Sequence, residues 1–284
     1  MRQAVRPGAK LPATIPAAFA ANRAVGSVEL DVRCTDGVTR RHVVRESGSL
    51  RVRFPSPETS ALSAVLLNTA GGIAGGDRFA VSVRAGPDSR VVVTTASAEK
   101  IYRSHGPAAR LDVTLSATDR ARIAWLPQET ILFDRAALAR RIDIDLAATA
   151  SLLCAEIVVF GRTAMDERLR EGSFVDRWNL RRDGKLVFAE TTRLDGDIGA
   201  KLARRVVANG GIAVATVLIV PGDDGLAARV RQRACSFRSE FGISAWNGFA
   251  LARFCGADAA QLRADVMGLL TIVDSAALPR LWLN

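Results

Sequence analysis

The sequence predicts a mostly β protein, built as stacked sheets or a β superhelix, with about two helices near the C-terminus. Three observations support this fold class. Apolar and polar residues alternate over most of the chain, which is typical of half-buried strands. Similar strand-like segments recur at a nearly constant spacing. Helical periodicity is found only after Gly222.

Two hairpins are predicted where alternating segments flank an Asp-Gly pair. The first joins strands around residues 28–32 and 43–44 through a turn at Asp36-Gly37. The second joins the strands on either side of Asp183-Gly184. An Asp-Gly pair supplies the positive φ angles that a tight hairpin turn needs, so both turns have a physical basis.

Three segments between these hairpins resemble one another. They are residues 79–85, 111–117 and 142–148, whose starts lie 32 and 31 residues apart. Each is followed by a turn and a further apolar strand. Repeats of this length can stack so that each buries a face on the next. A β meander also repeats at some spacing, so the sequence leaves both arrangements open.

Two helices are predicted near the C-terminus. Asp223-Asp224 would cap the first, with Leu226, Val230 and Phe237 on one side. The second covers residues 258–270 and carries an apolar stripe at i, i+4, i+7 and i+8. The stripe consists of Leu262, Val266, Leu269 and Leu270. It is a candidate interface for a partner protein, although core packing is the default interpretation of such a stripe.

The net charge of the chain limits the kinds of molecule that it is expected to bind. The chain has 284 residues and a net charge of +10, and only four of its 39 basic residues are Lys. A basic, Arg-rich surface favours nucleic acid, a membrane surface or an acidic protein. The Arg pairs, such as Arg140-Arg141, are scattered, which is typical of solvated strand ends, and aromatic residues make up only 6%. An acidic protein partner is therefore favoured over nucleic acid.

Residues 1–24 are predicted to form a disordered tail, and residues 25–284 a single β-rich domain. Pro7, Pro12 and Pro16 would interrupt an amphipathic targeting helix in the tail. The four Cys residues lack metal-binding spacing, which fits a reducing cytoplasm. No apolar stretch reaches the length of a membrane span, so no membrane partner is expected.

The glycine-rich run at residues 66–78 is the most unusual segment. Its notable residues are Gly71, Gly72, Gly75, Gly76, Asp77 and Arg78. Gly71 and Gly76 have the separation found in a phosphate-binding loop, but Asp77 stands where that loop needs Lys. A carboxylate there repels phosphate. The run is therefore predicted to be a bend between strands, where glycine permits a positive φ or a close approach.

Several blocks, taken in order, resemble a known family. They are the glycine-rich run, residues 94–104, and residues 125–134, which read WLPQETILFD. Shorter pieces at 50–55, 160–162 and 279–282 occur in the same order. Together they are similar to the urease accessory protein family UreD, called UreH in some organisms, and the resemblance extends over residues 25–284.

The resemblance implies a mostly β superhelical stack with two helices and a role without catalysis. UreD proteins act as scaffolds when nickel is loaded into apo-urease. They bind the accessory protein UreF, which recruits the GTPase UreG, and the assembly docks on urease. The implied partners are therefore UreF, UreG and apo-urease. No permanently bound cofactor is implied, and nickel would be present only in transit.

This chain departs from the family pattern at two places. Residues 68–70 read Asn-Thr-Ala where the family carries His-Pro-Pro or a similar triplet. Glu99 replaces a small or hydroxyl residue. Imidazole is a favourable nickel ligand, so the missing His removes one donor from this region. No fixed metal site is predicted.

Three carboxylates are candidates for a polar passage that nickel would follow, namely Asp77, Glu129 and Glu167. Carboxylates bind nickel less strongly than imidazole or thiolate, which suits transit. Each has a structural alternative. Asp77 would cap a turn or pair with Arg78, and Glu167 would be an exposed loop acid. Glu129 would pair with a neighbouring Arg, because an unpaired buried carboxylate is costly.

A further group of residues is predicted to be structural. Residues 100–104 are expected at a strand end, in a hydrogen-bonded corner that holds the glycine bend; a surface for urease or UreF is the alternative. Pro127 and Gln128 interrupt apolar strands beside Glu129. The residues of the corner are Lys100, Tyr102, Arg103 and Ser104.

Two other functions stay open on the residues alone. A basic β-rich protein that binds nucleic acid would show affinity that falls steeply with salt. A β-solenoid enzyme acting on carbohydrate would need a close pair of carboxylates in a cleft. The two His residues, His42 and His105, belong to no recognisable catalytic arrangement. No catalytic residue is therefore predicted.

Overall fold

The computed structural model describes residues 23–55, 61–274 and 278–283. The predicted tail at 1–24 lies outside these residues, apart from Arg23 and Ala24. The described residues are mostly strand and form two sheets with a shared apolar core. The predicted fold class, a mostly β stack with helices near the C-terminus, is confirmed.

Seventeen strands occur within the described residues. In chain order they are β1 Val25–Thr35, β2 Val38–Gly48, β3 Leu50–Arg53, β4 Leu62–Asn68, β5 Arg78–Ala85, β6 Arg90–Thr95, β7 Glu99–Ile101, β8 Ala109–Ala117, β9 Arg122–Trp125, β10 Thr130–Leu132, β11 Ala137–Leu146, β12 Ser151–Phe160, β13 Glu171–Arg182, β14 Lys185–Asp197, β15 Ala213–Val220, β16 Glu240–Trp246 and β17 Phe249–Gly256.

The strands form two sheets. Sheet A has the order β14-β13-β11-β8-β5-β1-β2, and the main path of sheet B has the order β16-β17-β15-β12-β9-β6-β4-β3. The two short strands β7 and β10 pair with each other, and β10 also pairs with β12. Parallel strands alternate between the sheets along the chain, from β5 to β6, β8 to β9, and β11 to β12. The chain therefore winds as a superhelix in which each coil adds one strand to each sheet.

The structural register explains the three similar segments. Phe79 pairs with Leu111, 32 residues on, as the sequence predicts. Leu111, however, pairs with Arg140 and not with Ile142, so the next step is 29 residues. The predicted and observed steps differ by two residues, and side chains alternate with a period of two, so the same face still points inward. The slip places Arg140 in line with the apolar Phe79 and Leu111.

Both predicted hairpins are present. β1 and β2 are joined at Asp36 and Gly37, whose φ angles are 53° and 73°. β13 and β14 are joined at Asp183 and Gly184, with φ angles of 49° and 74°. The Asp-Gly pairs thus supply the positive φ values that the sequence predicted.

Three α-helices occur in the described part of the chain: α1 Ile198–Ala203, α2 Asp224–Arg233 and α3 Ala259–Asp274. The Asp223 side chain caps α2 by accepting from the Leu226 N–H at 2.7 Å. Phe237 lies beyond the end of α2, so its predicted place on that helix is wrong. The short α1 was not predicted. The 3₁₀ turns are Thr163–Met165, Ala234–Ser236 and Arg280–Trp282.

The stripe on α3 packs into the protein. Leu262, Val266, Leu269 and Leu270 are each 0% exposed and lie in an apolar cluster between sheet B and the helices α2 and α3. They therefore do not form the surface that was considered for a partner interface. Among the described helices none is long and apolar enough to span a membrane.

Candidate functional site

An interior cavity of about 270 Å³ lies beside the glycine bend. It is found where β6 and β9 end, next to β7 and the segment that follows β9. Five of the candidate residues line it, namely Gly71, Gly72, Lys100, Pro127 and Gln128. Three ionisable residues that were not candidates line it as well, namely Glu99, Arg140 and Glu156. The cavity is thus the place where the sequence motifs meet.

Asp77 anchors the glycine bend and does not face the cavity. Its residue is 4% exposed, and its Oδ1 accepts the Ala24 N–H at 2.9 Å. Its Oδ2 accepts the Ala74 N–H at 2.7 Å. Both oxygens therefore bind backbone amides, which is the turn-capping alternative. No ion pair joins Asp77 to Arg78 in the described coordinates, where Arg78 is exposed.

The glycines allow the bend to approach the corner at residues 100–104. Gly72 has a φ of +149°, and a Cβ there would overlap the Tyr102 ring and lie 2.9 Å from the Lys100 carbonyl. A Cβ at Gly75 would overlap the Ser104 hydroxyl and lie 2.9 Å from the Pro107 carbonyl. Close approach is therefore the physical reason for glycine at both positions.

Hydrogen bonds fix the corner to the bend. The Ile73 N–H donates to the Lys100 carbonyl and the Tyr102 N–H donates to the Ile73 carbonyl, both at 2.8 Å. The Tyr102 hydroxyl donates to the Gly71 carbonyl at 2.8 Å. Arg103 forms an isolated antiparallel bridge with Ala136. The corner thus holds the glycine bend, as the structural interpretation predicted.

Glu99 is the carboxylate of the cavity that forms no ion pair among the described residues, although the charge of the neighbouring Lys100 favours its ionised form. Its Oε1 accepts from the Asn68 Nδ2 at 3.1 Å, and the same amide donates to the Gly72 carbonyl at 3.1 Å. Burial raises the pKa of Glu99 to about 7, while Asn68 and the Lys100 N–H oppose this by favouring the charged form. Glu99 therefore titrates near neutral pH.

The segment after β9 is held by the C-terminal part of the chain. Glu129 accepts from Arg263 on α3 at 2.6 Å, and each side chain is 16% exposed. The Gln128 Oε1 accepts from the same guanidinium at 2.7 Å, and its Nε2 donates to the Leu281 carbonyl at 2.8 Å. The Trp282 indole donates to the Leu126 carbonyl at 2.9 Å. Glu129 thus has the Arg partner that the structural alternative predicted.

Glu167 is bound to Arg162 and does not line the cavity. The Arg162 Nε donates to a Glu167 oxygen at 2.5 Å, and the Glu167 side chain is 20% exposed. The same guanidinium lies 4.3 Å from the centre of the Phe133 ring. Glu167 is therefore a partly buried, paired acid, and the description of it as an exposed loop acid is wrong.

A buried ionic network, which the sequence did not predict, joins the two sheets next to the cavity. Arg140 on β11 is 2% exposed and donates to both oxygens of Asp176 at 2.9 and 2.7 Å. It also donates to Glu156 on β12. The Trp125 indole donates to Glu156 at 2.8 Å, and the Trp178 indole donates to Asp176 at 3.0 Å. The prediction that the Arg pairs mark solvated strand ends is therefore wrong for Arg140.

Contact between the members of the network opposes the effect of burial on their charges. Burial lowers the pKa of a guanidinium, but Asp176 and Glu156 more than offset this and raise the pKa of Arg140 above its usual range. Burial raises the pKa of Glu156, which the guanidinium of Arg140 and the indole of Trp125 oppose. The inward side of β11 reads Leu138-Arg140-Ile142, so the strict alternation was the sequence signal that could have revealed a buried Arg.

The structure does not bring the three passage candidates together around one space. Asp77, Glu129 and Glu167 are absent from the residues that line the interior cavity. Each is bound to the protein's own backbone or to an Arg. Within residues 23–55, 61–274 and 278–283, no three His, Cys, Asp or Glu side chains are grouped closely enough to hold a metal ion.

Fold and site together define a class of protein: a two-sheet β superhelix with an interior cavity of mostly apolar lining beside a buried ionic network. The UreD urease accessory protein model matches residues 24–283. The chain belongs to the UreD family of urease accessory proteins.

Its relatives cover nearly the whole chain. It is 67% identical over 266 residues to urease accessory protein UreD 3 of Bradyrhizobium sp. strain BTAi1. The aligned region covers 94% of this chain and 96% of the relative. It is 64% identical over 274 residues to urease accessory protein UreD of Rhodopseudomonas palustris strain BisB18. The aligned region covers 96% of this chain and 99% of the relative.

Proposed function

We propose that this chain is a non-catalytic cytoplasmic scaffold for the loading of nickel into apo-urease. In this proposal it binds UreF and, through UreF, the GTPase UreG. The observation that carries the proposal is the family match over residues 24–283, together with relatives named as urease accessory proteins. The free state of all four cysteines supports a reducing compartment.

The pairing of buried and partly buried carboxylates with groups of the protein itself also supports a scaffold. Here Asp77 binds backbone amides, while Glu129 and Glu156 each bind an Arg. These contacts stabilise a rigid body that can present surfaces to other proteins.

We also propose that nickel in transit passes through the interior cavity and meets Glu99 there. The described lining residues include two carboxylates, Glu99 and Glu156, and Glu156 is bound to Arg140. Glu99 accepts a hydrogen bond from a neutral amide and has a pKa of about 7. A carboxylate that is ionised for part of the time binds a divalent cation briefly, which suits transfer and not storage. Asp77, Glu129 and Glu167 support this route as parts of its frame.

Deletion of the chain tests the scaffold proposal. The urease of the deletion strain should be produced in normal amount but contain little nickel and have little activity, and the intact chain should restore both. Urease subunit content, nickel per urease and urease activity are measured together. Normal activation at ordinary nickel concentration in the deletion strain would contradict the proposal.

The route is tested by Glu99→Gln, with Glu171→Gln as the matched control. The Glu171 side chain is 65% exposed and lies outside the cavity lining. Glu99→Gln should lower the nickel content of urease while UreF still co-purifies, and Glu171→Gln should leave both unchanged. Equal nickel contents in the two variants would remove Glu99 from the route without affecting the scaffold proposal.

A further inference from the structure

A second concave region lies at the opposite end of sheet B, where β6, β9 and β12 begin. It is a groove of about 720 Å³, bordered by the start of α2 and the end of α3. We call it the arginine groove. Four of its lining residues are arginines, namely Arg90, Arg122, Arg182 and Arg229. Neither the buried network nor the proposed nickel route uses it.

The floor of the arginine groove is apolar because it belongs to the outer face of sheet B. Val92, Ala124 and Leu153 are aligned on neighbouring parallel strands and point away from the core between the sheets. Ile219 on β15 and Leu226 on α2 extend this floor. Ala124, Leu153, Ile219 and Leu226 are each only 4–7% exposed, so most of this row is already buried. Together with the partly buried Val92, the row leaves a narrow apolar strip between the arginines, against which one face of a helix could pack.

Two arginines at the rim are already used by the protein. Arg122 forms an ion pair with Asp274 at 3.1 Å, where the two side chains are 51% and 31% exposed. Arg182 donates to the Ala148 carbonyl at 2.5 Å. These contacts hold the hairpin and the end of α3 beside the groove.

The other two arginines have no bound partner for their side chains among the residues that the structure describes. Arg90 and Arg229 are exposed, and neither side chain has a hydrogen bond or ion pair within the described coordinates. Asp223, which also lines the groove, uses its side chain to cap α2. The lining thus contains four arginines and two aspartates, and its unpaired charge is positive.

We propose that the arginine groove binds an acidic amphipathic helix of a partner protein. The apolar side of such a helix would cover the floor, and its flanking carboxylates would pair with Arg90 and Arg229. This occupant satisfies both the apolar floor and the positive rim. The proposal does not rest on the nickel role.

The same observations argue against two other occupants. A second copy of this chain would carry the same net charge of +10, so the electrostatic contribution would be repulsive. Single-stranded nucleic acid usually binds where aromatic rings stack on bases, and the described lining residues include no aromatic side chain. Both occupants become outcomes of the test.

The test uses the full chain and a synthetic, fluorescently labelled peptide. The peptide carries Leu at i, i+3, i+4 and i+7 with Glu at most other positions, and a second peptide has the same composition in scrambled order. Fluorescence anisotropy gives the Kd for each. The amphipathic peptide should bind at least about tenfold more tightly than the scrambled one. Hydrogen exchange should show protection at residues 90–93, 122–125 and 151–154.

Charge reversal separates the groove from general electrostatic attraction. Arg90→Glu/Arg229→Glu should weaken peptide binding at least about tenfold. The control Arg110→Glu/Arg177→Glu changes the net charge equally, but both residues lie on the exposed face of sheet A. The control should retain the wild-type Kd. Circular dichroism and the unfolding midpoint confirm that both variants fold.

Four results would overturn the proposal. They are equal losses of binding in the two double variants, equal affinity for the ordered and scrambled peptides, protection elsewhere on the chain, and competition of the peptide by duplex DNA or by dimerisation of the chain. Each of these would leave the deletion experiment on urease activation unaffected, so failure of the groove proposal is distinguishable from failure of the scaffold proposal.

Discussion

The arginine of the interior cavity and two of the four arginines of the groove are held in opposite ways. Beside the interior cavity, Arg140 is 2% exposed and bound to carboxylates from both sheets. At the rim of the arginine groove, Arg90 and Arg229 are exposed and have no partner in the described coordinates. Sheet B connects the two regions, so the same sheet borders one arginine that is paired with carboxylates and two arginines that are exposed to solvent.

This difference follows from the cost of removing charge from water. A buried guanidinium without partners is strongly unfavourable, so Arg140 requires both Glu156 and Asp176. An exposed guanidinium keeps its hydration and requires no partner for the fold. The comparison therefore predicts that substitutions near the cavity affect stability, whereas substitutions at the groove affect binding.

Arg140→Met should give the largest loss of stability. It keeps the apolar stem of the side chain but leaves Glu156 and Asp176 buried without their cation. We expect the free energy of unfolding to fall by about 3–5 kcal/mol, the usual cost of removing one partner from a buried ion pair. Urea unfolding measures the change.

Arg141→Met is the matched control for this substitution. Arg141 is the next residue of β11, and its side chain is 56% exposed. We expect a change within about 0.5 kcal/mol, as for surface substitutions generally. Similar losses in the two variants would show that the network does not distinguish the interior of this fold from its surface.

The sequence predicted the frame of the fold well because local chemistry determines it. The Asp-Gly turns at residues 36–37 and 183–184 and the alternation of the strands were sufficient to place the hairpins. The repeat at residues 79–85 also predicted the first superhelical step correctly. These signals are short in range, so a single sequence contains them.

The candidate site was predicted less well because it depends on contacts between distant residues. Arg140 meets Glu156, 16 residues on, and Asp176, 36 residues on, only when two neighbouring coils stack, and no local pattern in the sequence encodes that meeting. Glu129 needed Arg263, which lies 134 residues further along the chain. Core packing was the default interpretation of the α3 stripe, and the apolar cluster between sheet B and the helices confirms it. The sequence identified the motifs, and the structure supplied their partners.

Gly75→Ala tests the close packing at the bend. The added methyl group would overlap the Ser104 side chain and lie 2.9 Å from the Pro107 carbonyl. We expect the free energy of unfolding to fall by about 2–3 kcal/mol, as in other overpacked sites. Gly242→Ala is the control, because a Cβ there has nothing within 4 Å. An equal loss in the control would mean that the bend is not tightly packed.

Glu99→Gln tests the charge in the cavity through the pH dependence of stability. The folded pKa of about 7 lies above the ordinary value of 4.5, so the folded chain retains a proton that the unfolded chain releases. Wild-type stability should therefore fall as the pH rises from 4.5 through 7. The variant lacks this titration, and the difference between the two unfolding curves should reach on the order of 3 kcal/mol, because each pKa unit corresponds to about 1.4 kcal/mol. Parallel pH profiles would contradict the burial of Glu99.

Arg229→Ala should have the smallest effect on stability. It therefore tests directly whether the Arg229 guanidinium contributes to the fold. Arg229 lies on α2 without a partner among the described residues, and Ala is a slightly better helix former. We expect the free energy of unfolding to change by less than about 0.5 kcal/mol.

Arg231 offers a comparison on the same helix. Its guanidinium donates to the Ile243 carbonyl on β16 at 2.7 Å. Arg231→Ala should therefore cost about 1 kcal/mol, the usual contribution of a hydrogen bond. If Arg229→Ala is the more damaging of the two in urea unfolding, Arg229 serves the fold. If Arg229→Ala leaves stability unchanged and weakens binding of the acidic peptide, Arg229 contributes to binding and not to folding. The loss of affinity must then come from the lost contact between its guanidinium and the peptide, because the fold itself is unchanged.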